Sequence, residues 1–498
     1  MLFDDGRLLF FDTRHLEATE NVTFTLNPPA KCGPCLAIEK DWELRVSRAS
    51  CIVRWQGEYR LYYVVRLGEG HSALAFATST DGINWKRPEL GEVEWNGSKA
   101  NNLIEYPPGR LDETCVFVDP TGPDGHRFKL ICHNPYVGMF LFTSPDGIRF
   151  QRAEGLLLRY ATDNHMSAFW DEQVGKYRIY HRGGDKSRPV MGWGGSRMVV
   201  LSETDNLFRP LPIDENAPDP HEPGMERPGP DGKLIRPLQG INRELPAVLR
   251  MDELDPPECD LYQAATVHYA RDAYVAFPTL YFHYPGIPDG GFHNDGVLDL
   301  QFASSRDGRH WRRDLRGSYV RLDLPDGPAT KQMHMLVGMV PREHMLFQYY
   351  MGRRRSHGEG RTADNISGKG FHEPKLGDPI ALRLEQRIDG FVSADTVYAG
   401  GSLLTAPFVL NCSHLAINVD TSASGVAHAA LLDASGAEIP GCRLEESDRI
   451  QGNDTRYILS WRKQNDLSRL VGKTVRLLLK SRSTKLLAVY PAPPNDGH

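Results

Sequence analysis

The sequence predicts an all-β fold assembled from a repeated antiparallel unit, and three observations support this prediction. One short phrase occurs three times, as "ATSTDGINW", "FTSPDGIRF" and "ASSRDGRHW". Each copy follows a turn and an aromatic, strand-like run, of which "WQGEYRLYYV" is the first. Gly and Pro are frequent, with 47 and 35 among 498 residues, and this favours many turns and short strands. A chain of this length is also expected to form two domains.

The repeated unit consists of a strand, a turn, an aromatic strand, a loop, a strand, an Asp-Gly turn and a last strand. An Asp-Gly pair between two β-rich runs predicts a tight hairpin turn, because Gly accepts positive φ and Asp bonds to its own backbone. Five such units occur between about residues 40 and 390. The fifth lacks a clear Asp-Gly phrase, and we expect the N-terminal segment to supply its last strand. Four-stranded units repeated around an axis are typical of a five-bladed β-propeller, which we favour over a sandwich or a solenoid.

Two regions depart from the repeat. Residues 209–257 are rich in Pro, Asp and Glu, which predicts a long insertion between the third and fourth units. After residue 390 the pattern changes to clean alternation, as in "HLAINVDTSASG", with small turn clusters between the runs. This pattern predicts a C-terminal β-sandwich. The expected domains are therefore a propeller over 1–390, with the insertion at about 209–257, and a β-sandwich over 391–498.

Composition argues against several classes of function. The net charge is −6, without the basic balance of a nucleic-acid-binding protein, and no run is long and apolar enough to span a membrane. The most basic stretch, "GRRRSHGEGR", is predicted to be a solvated loop rather than an anion site. The N-terminus lacks the features of a signal peptide, so we expect a cytoplasmic protein unless an export signal has been removed. Cys32 and Cys35 lack the βαβ context of a redox motif and the spacing of a zinc site. Asn294 and Asp295 offer oxygen ligands for a Ca²⁺ ion, but their spacing matches no strong calcium loop, so we predict neither a cofactor nor a metal.

Acidic residues precede the innermost strands of the first three units. In a propeller these strands begin beside the central axis on one face, so the polar residues before them converge there. We predict that the catalytic residues are Glu43, Glu113 and Asp163. Converging carboxylates repel one another, and one protonated and one ionised carboxyl group are what glycoside cleavage needs. The alternative is that each acid caps a strand or pairs with a nearby Arg. The predicted substrate-binding residues are Trp42, Arg45, Asp112, Asn164, Tyr262, Gln263 and His334.

Six phrases carry a resemblance to a known family: "DWE", "YRLYY", "DGINWKRPELG", "TDNHMSAFWDEQVGKYRIYHR", "HNDGVLDLQFASSRDGRHW" and "DGFVSADTVYAGG". The chain resembles the five-bladed propeller glycoside hydrolases of the fructosidase, levansucrase and arabinanase type, and most of all a planctomycete-like branch with a C-terminal β-sandwich. The resemblance implies a nucleophile or base, a transition-state stabiliser and a general acid on the first three blades. Glu113 matches the second place and Asp163 the third. The first place is occupied by Ser50, and the nearest acid is Glu43.

The expected function is therefore that of a glycoside hydrolase acting on a glycan or oligosaccharide. Its expected binding partner is a carbohydrate, and we expect it to bind neither a nucleic acid nor a membrane. Two alternatives remain open. Ser50 in place of the first acid favours a carbohydrate-binding propeller without catalysis. Basic residues near the axis, Arg45 and Lys331, suit a glycoside phosphorylase that uses phosphate as its nucleophile.

Overall fold

Strands dominate the protein, so the predicted all-β class is confirmed. The computed structural model describes residues 6–68, 71–104, 113–134, 138–158, 162, 166–185, 196–212, 227–228, 234–235, 247–285, 294–360 and 374–492. Within these ranges helix is limited to four short 3-10 turns, at Asp41–Arg45, Asp124–His126, Leu444–Glu446 and Ser468–Leu470. None of the described helices is long and apolar enough to cross a membrane.

The first four strands of the described chain belong to two different sheets. They are β1 (Leu8–Leu9), β2 (Leu16–Glu20), β3 (Val22–Leu26) and β4 (Ala30–Ala37). The first three pair with strands near the C-terminus, so residues 8–26 do not belong to the repeated units as the expected 1–390 domain implied. β4 instead pairs antiparallel with the last strand of the fifth unit, which confirms that the N-terminal segment supplies this strand.

The repeat appears as five groups of mainly antiparallel strands, which we call groups 1 to 5 in chain order. Group 1 contains β5 (Val46–Trp55), β6 (Glu58–Gly68), β7 (His71–Ser79) and β8 (Leu103–Ile104). Group 2 contains β9 (Glu113–Val118), β10 (Phe128–Asn134), β11 (Gly138–Ser144) and β12 (Gln151–Arg152). Group 3 contains β13 (Ser167–Asp171), β14 (Lys176–Asp185) and β15 (Ser196–Thr204), then a separate hairpin of β16 (Arg227–Pro228) and β17 (Leu234–Ile235), and finally β18 (Ala247–Leu249).

Groups 4 and 5 are linked into one larger sheet by a single parallel pair, Leu298 with Gln332. Group 4 contains β19 (Cys259–Ala270), β20 (Ala273–His283), β21 (Gly296–Leu300), β22 (Ala303–Ser305) and β23 (Trp311–Arg312). Group 5 contains β24 (Gln332–Met335), β25 (Val340–Pro341), β26 (Met345–Arg353) and β27 (Pro379–Arg387), with β4 at its edge.

The long insertion lies inside group 3 rather than between the third and fourth units, which corrects the prediction. β18 falls within residues 209–257 and pairs with β15, so the chain returns to complete group 3 before it enters group 4. The composition of the segment could not reveal this, because the returning strand is only three residues long. Most of the remaining insertion lies outside the described residues.

The first strands of the groups contact one another in chain order. β5 meets β9 through Ser50 and Thr114, whose hydroxyl oxygens are 2.9 Å apart. β9 lies against β13, and Ser167 of β13 accepts a hydrogen bond from the backbone N–H of Thr266 in β19, at 2.9 Å. Val337, just after β24, donates its N–H to the carbonyl of Ser50 at 3.0 Å. Four of the five neighbouring pairs around the ring are thus in direct contact, and Leu298–Gln332 links group 4 to group 5.

The repeated Asp-Gly phrase forms a loop that is longer than the two-residue turn predicted from it. In the first copy Thr78 pairs with Lys86 across the loop. Asp81 Oδ1 accepts the backbone N–H groups of Ile83 and Asn84, both at 2.8 Å. These hydrogen bonds, together with those from nearby side chains, lower the pKa of Asp81. The Asp side chain therefore stabilises a wider loop, because its carboxylate accepts hydrogen bonds from backbone N–H groups that have no backbone acceptor in the loop.

Each copy of the phrase is held by a tyrosine of a neighbouring group. The tyrosine hydroxyl donates to the carbonyl of the phrase's glycine, and the three pairs are Tyr349 with Gly82 at 2.6 Å, Tyr62 with Gly147 at 3.0 Å and Tyr180 with Gly308 at 2.8 Å. All three glycines have φ between +70° and +75°. The aromatic strand and the Asp-Gly phrase recur together because they are the two halves of this contact between groups.

The C-terminal strands form a ten-stranded sheet that also contains β1, β2 and β3. The strands that the C-terminal part of the chain contributes are β28 (Val392–Thr396), β29 (Gly401–Thr405), β30 (Phe408–Val409), β31 (His414–Leu432), β32 (Ile450–Ile458), β33 (Thr474–Arg482) and β34 (Thr484–Ala492). A buried carboxylate, Asp389, anchors this sheet to group 4. It accepts hydrogen bonds from Arg7 and Tyr269, both at 2.7 Å, and from Tyr490 at 2.6 Å.

Candidate functional site

Three first strands are joined at one end of the ring by a single guanidinium group. Glu113 opens β9 and is 4% exposed. Its Oε2 accepts a hydrogen bond from Arg48 Nη1 of β5 at 2.9 Å, and the same nitrogen donates to Gln263 Oε1 of β19 at 2.9 Å. Breaks in the β5–β6 register lie on either side of Arg48, and such irregularities redirect a side chain. The ring therefore places Glu113, Arg48 and Gln263 in one buried cluster, which we call the axial cluster.

The axial cluster keeps one donor for a ligand. Gln263 Nε2 is buried and has no hydrogen-bond partner among the residues that the structure describes. A buried amide donor left unpaired costs about 1–3 kcal/mol, and a bound hydroxyl or carbonyl oxygen would recover that cost. Gln263 is thus suited to bind an oxygen of a substrate beside Glu113.

Aromatic and imidazole side chains lie next to the axial cluster. Tyr262 precedes Gln263 on β19, and its hydroxyl donates to His357 Nε2 at 3.0 Å. His357 Nδ1 lies 3.0 Å from the carbonyl of Asn294. Because a carbonyl can only accept, Nδ1 carries a hydrogen, and in the neutral imidazole Nε2 then accepts from Tyr262. The ring of His334, on β24, lies 5.5 Å from the ring of Tyr262.

Two further arginines flank Tyr262. The guanidinium carbons of Arg182 and Arg197 lie 4.9 Å and 5.4 Å from the centre of its ring. Arg197 also donates to Asp260 Oδ2 at 2.6 Å, and His283 Nε2 lies 3.4 Å from the same oxygen. Burial raises the pKa of Asp260, but Arg197 and His283 outweigh burial and lower it to about 2. Asp260 is therefore an anion at neutral pH, and it balances the charge of Arg197.

A fourth arginine, Arg353, closes β26 and is partly buried between groups 5 and 1. Its Nη2 donates to the carbonyl of Ser47, the residue before Arg48, at 2.9 Å. Burial and the positive charges of Arg355 and Arg48 lower the pKa of Arg353 to about 10. Even at this value the group is protonated at neutral pH, so the site contains a partly desolvated cation.

A buried histidine lies near the same end of group 3. His181 in β14 is 1% exposed, and its Nε2 lies 2.9 Å from Ser202 Oγ. Burial lowers its pKa to about 4, so the imidazole is neutral at pH 7.

Of the predicted site residues, the structure brings four together: Glu113, Tyr262, Gln263 and His334. Asp112, Asp163 and Asn164 lie outside the described residues. Their predicted roles stay predictions.

Glu43 does not join this group, and its contacts are those of a structural carboxylate. It is fully buried in the 3-10 turn Asp41–Arg45. It accepts hydrogen bonds from Tyr63 Oη and Arg87 Nε, both at 2.6 Å, and from the backbone N–H of Glu39 at 2.9 Å. The carboxylate of Glu43 therefore links the N-terminal segment to β6 and to Arg87 of group 1. No described contact joins it to Glu113. This matches the alternative that an acid near an inner strand pairs with an arginine.

The two neighbours of Glu43 are also placed differently from the prediction. Trp42 packs in a buried apolar cluster, and its Nε1 donates to Asn102 Oδ1 at 3.0 Å. Only 9% of the residue is exposed, so it packs in the core rather than offering a platform for a sugar. Arg45 donates to the carbonyl of Leu67 at 2.9 Å and lies over the ring of Trp95 at 5.5 Å. Neither residue contacts a member of the axial cluster in the described structure.

Arg48 and Arg353 were not among the predicted site residues. Arg48 lies two residues before Ser50, where the resemblance directed attention to a missing acid rather than to a cation. Arg353 lies in "GRRRSHGEGR", which was predicted to be a solvated loop. The prediction is wrong for Arg353, because residues 345–353 form β26 and alternation turns Arg353 inward while Arg354 is exposed. The signal available in the sequence was the aromatic strand "MLFQYYMG" directly before it.

A separate open cavity of about 850 Å³ lies at the other end of groups 3 and 4. It is lined in part by Arg178 and Arg306. Arg178 pairs with Asp171 at 3.1 Å, and Arg306 pairs with Asp12 at 3.1 Å. These two charges are balanced within the protein, so size alone does not make this cavity the stronger candidate for chemistry. Within the described residues, no group of three or more His, Cys, Asp or Glu side chains is placed to hold a metal ion.

Comparison with known proteins yields structural similarity alone. No family model and no curated protein matches the chain. The chain is similar to the structure of an N-acetylgalactosamine deacetylase from F. plautii, with a TM-score of 0.43 and 13% identity over 73% of this chain and 95% of that one. It is similar to the α-L-arabinofuranosidase PaAbf62A from Podospora anserina, with a TM-score of 0.39 and 12% identity over 72% of this chain and 97% of that one.

A third similar structure belongs to the GH130 family of mannoside phosphorylases, which contains glycoside hydrolases that target β-1,2-mannosidic linkages in Candida mannan. Here the TM-score is 0.39, with 14% identity over 76% of this chain and 96% of that one. At TM-scores below 0.5, these similarities do not by themselves define the function of the present chain.

Proposed function

We propose that the protein is a glycoside hydrolase whose active site is the axial cluster. The observation that carries the proposal is the Glu113 carboxylate, nearly buried and 2.9 Å from Arg48 Nη1, which also holds Gln263. Carboxylates that line a polar, water-restricted site are the groups that glycoside cleavage uses.

The contacts of Glu113 favour one of the two carboxylate roles. A guanidinium group beside a carboxyl group stabilises its ionised form. Ionised Glu113 would stabilise the positive charge that develops on the sugar, or activate a water molecule or attack the anomeric carbon. The complementary role, protonation of the leaving oxygen, is assigned to Asp163 on the basis of the sequence.

We also infer the finer architecture that such a site needs. The contacts of β5 with β9, β13 with β19, and Val337 with β5 support a closed ring in which groups 1 to 5 are the blades of a propeller. The nineteen-residue strand β31 pairs with β34 over its first half and with β33 over its second half. A long strand shared in this way supports a C-terminal sandwich.

The first test is turnover of a panel of aryl glycosides and oligosaccharides by the wild-type chain, by Glu113→Gln and by Asp163→Asn. Each substitution is expected to lower kcat by about 10²–10⁴-fold on the substrate that the wild type cleaves. Glu154→Gln is the matched control, because Glu154 is an exposed acid of the same group 2 and should leave kcat unchanged.

Other results would decide for the alternatives. Full activity in both variants would refute the assignment of the site. Turnover that requires inorganic phosphate would identify a glycoside phosphorylase. Binding of sugars by both the wild type and Glu113→Gln, with no product from either, would identify a carbohydrate-binding protein without catalysis.

A further inference from the structure

Arg353 is a cation of the site that pairs with no carboxylate of the described residues. Arg48 pairs with Glu113 at 2.9 Å and Arg197 with Asp260 at 2.6 Å, so each of these has a carboxylate. The hydrogen bond of Arg353 goes to a backbone carbonyl, that of Ser47. No carboxylate of the described residues pairs with it. A neutral carbonyl satisfies one N–H group and leaves the charge uncompensated.

This arrangement costs stability unless an anion binds. Partial burial removes water from the guanidinium group, and the nearby charges of Arg355 and Arg48 repel it. Both effects disfavour the protonated form, which explains why the pKa of Arg353 falls to about 10. A partly buried charge without a counter-charge is unfavourable, and perturbed charged groups of this kind cluster at functional sites.

The position of Arg353 indicates where on a bound substrate an anionic group would lie. Its bond to Ser47 places it one residue from Arg48, and Arg48 holds both the Glu113 carboxylate and Gln263. A group bound by Arg353 therefore lies beside the proposed reaction centre rather than at a distant subsite. An arginine fork matches the two oxygens of a carboxylate or a phosphate better than it matches a hydroxyl group.

We propose that Arg353 forms an oxyanion subsite next to the axial cluster, and that it binds an acidic group carried by the sugar, such as the carboxylate of a uronic acid. The inference rests on the proposed function, because it names the substrate class of the same site. It narrows the expected substrate from any glycan to one with a negative charge on or next to the cleaved residue.

The same chemistry could be supplied by free inorganic phosphate, and the test separates the two sources. Isothermal titration calorimetry would measure binding of D-glucuronate, D-galacturonate, D-glucose and inorganic phosphate to the wild-type chain, Arg353→Gln and Arg353→Lys. The control is Arg354→Gln, which removes an equal charge from the next residue, whose side chain is exposed and bonds to the carbonyls of Asp326 and Gly327.

The wild type should bind a uronate at least about tenfold more tightly than glucose. Arg353→Gln should lose that preference, Arg353→Lys should retain part of it because the charge remains, and Arg354→Gln should match the wild type. Binding of phosphate through Arg353, without binding of uronates, would support the oxyanion subsite and identify free phosphate as its ligand. Absence of any preference for anions in the wild type, or equal losses in Arg353→Gln and Arg354→Gln, would overturn the proposal.

These outcomes are separable from failure of the proposed function. If uronates bind through Arg353 but no glycoside is cleaved, the subsite stands and the hydrolase proposal fails. If the wild type cleaves neutral glycosides and shows no preference for anions, the hydrolase proposal stands and the subsite fails. Arg353→Lys also guards against misfolding, since a folded Lys variant with weakened uronate binding reports on the planar fork of arginine rather than on stability.

Discussion

Gly308→Ala tests the contact that explains the repeated phrase. Gly308 has φ +70°, and its carbonyl accepts the hydroxyl of Tyr180 at 2.8 Å. A Cβ atom at this position would lie 2.7 Å from Tyr180 Oη and would clash with the guanidinium group of Arg178. Arg178 donates to the carbonyl of Asp307 at 2.5 Å, so the clash also disturbs that bond.

The expected loss of stability combines three effects. Alanine in the left-handed region costs about 1–2 kcal/mol relative to glycine. Displacing the Tyr180 hydroxyl removes a buried hydrogen bond worth about 1 kcal/mol, and moving Arg178 weakens a charge-assisted bond worth roughly 1.5–3 kcal/mol. The free energy of unfolding should therefore fall by about 3.5–6 kcal/mol.

Urea-induced unfolding, followed by tryptophan fluorescence, measures this change. Gly155→Ala is the matched control, because Gly155 has a similar φ of +78° but nothing lies within 4 Å of an added Cβ. That variant should lose only the backbone cost of about 1–2 kcal/mol. Equal losses in the two variants would show that the contact between groups contributes nothing and would refute the explanation of the repeat.

Three further variants test other assignments. Glu43→Gln should lower the unfolding temperature, because it removes hydrogen bonds and an ion pair worth roughly 3 kcal/mol. It should leave the turnover of glycosides unchanged, whereas Glu113→Gln should abolish it. If both variants lose turnover equally, Glu43 is catalytic. Because the pKa of His181 is about 4 when folded and about 6.5 when unfolded, stability should fall by roughly 3 kcal/mol from pH 6.5 to 4. Unfolding curves of His181→Asn should show a smaller fall, whereas exposed His71→Asn should follow the wild type. Asp389→Asn should cost roughly 2–4 kcal/mol in thermal unfolding, and an unchanged transition would mean that the anchor of the C-terminal sheet lies elsewhere.

Local pattern was sufficient for the strands and the repeat. Alternation of apolar residues and the turn chemistry of Asp and Gly act over a few residues, so each strand pair could be predicted from its own stretch of sequence. The N-terminal strand β4 was predicted by a counting argument, because the fifth unit lacked one strand. The length of the Asp-Gly loop was not predicted, since it depends on how the Asp81 side chain bonds to the following backbone.

The site was only partly predictable from sequence. Position before an inner strand predicted that Glu113, Tyr262, Gln263 and His334 lie near one another, and the structure places them so, while their roles stay predictions. The same criterion failed for Glu43, which lies in a 3-10 turn whose side chain faces Arg87 and Tyr63 rather than the ring. Proximity in sequence to an inner strand does not determine the direction in which a side chain points.

The sequence by itself determined the all-β class, the repeated unit and the set of polar residues that could reach the ring. Only the tertiary structure decided that Arg48 joins Glu113 to Gln263 and that Arg353 faces inward without a carboxylate. The physical reason is that strands and turns follow from neighbours in the chain, whereas these contacts join residues of different groups. Their geometry depends on how the first strands of the groups pack against one another and on register breaks in β5, and neither leaves a periodic signal in the sequence.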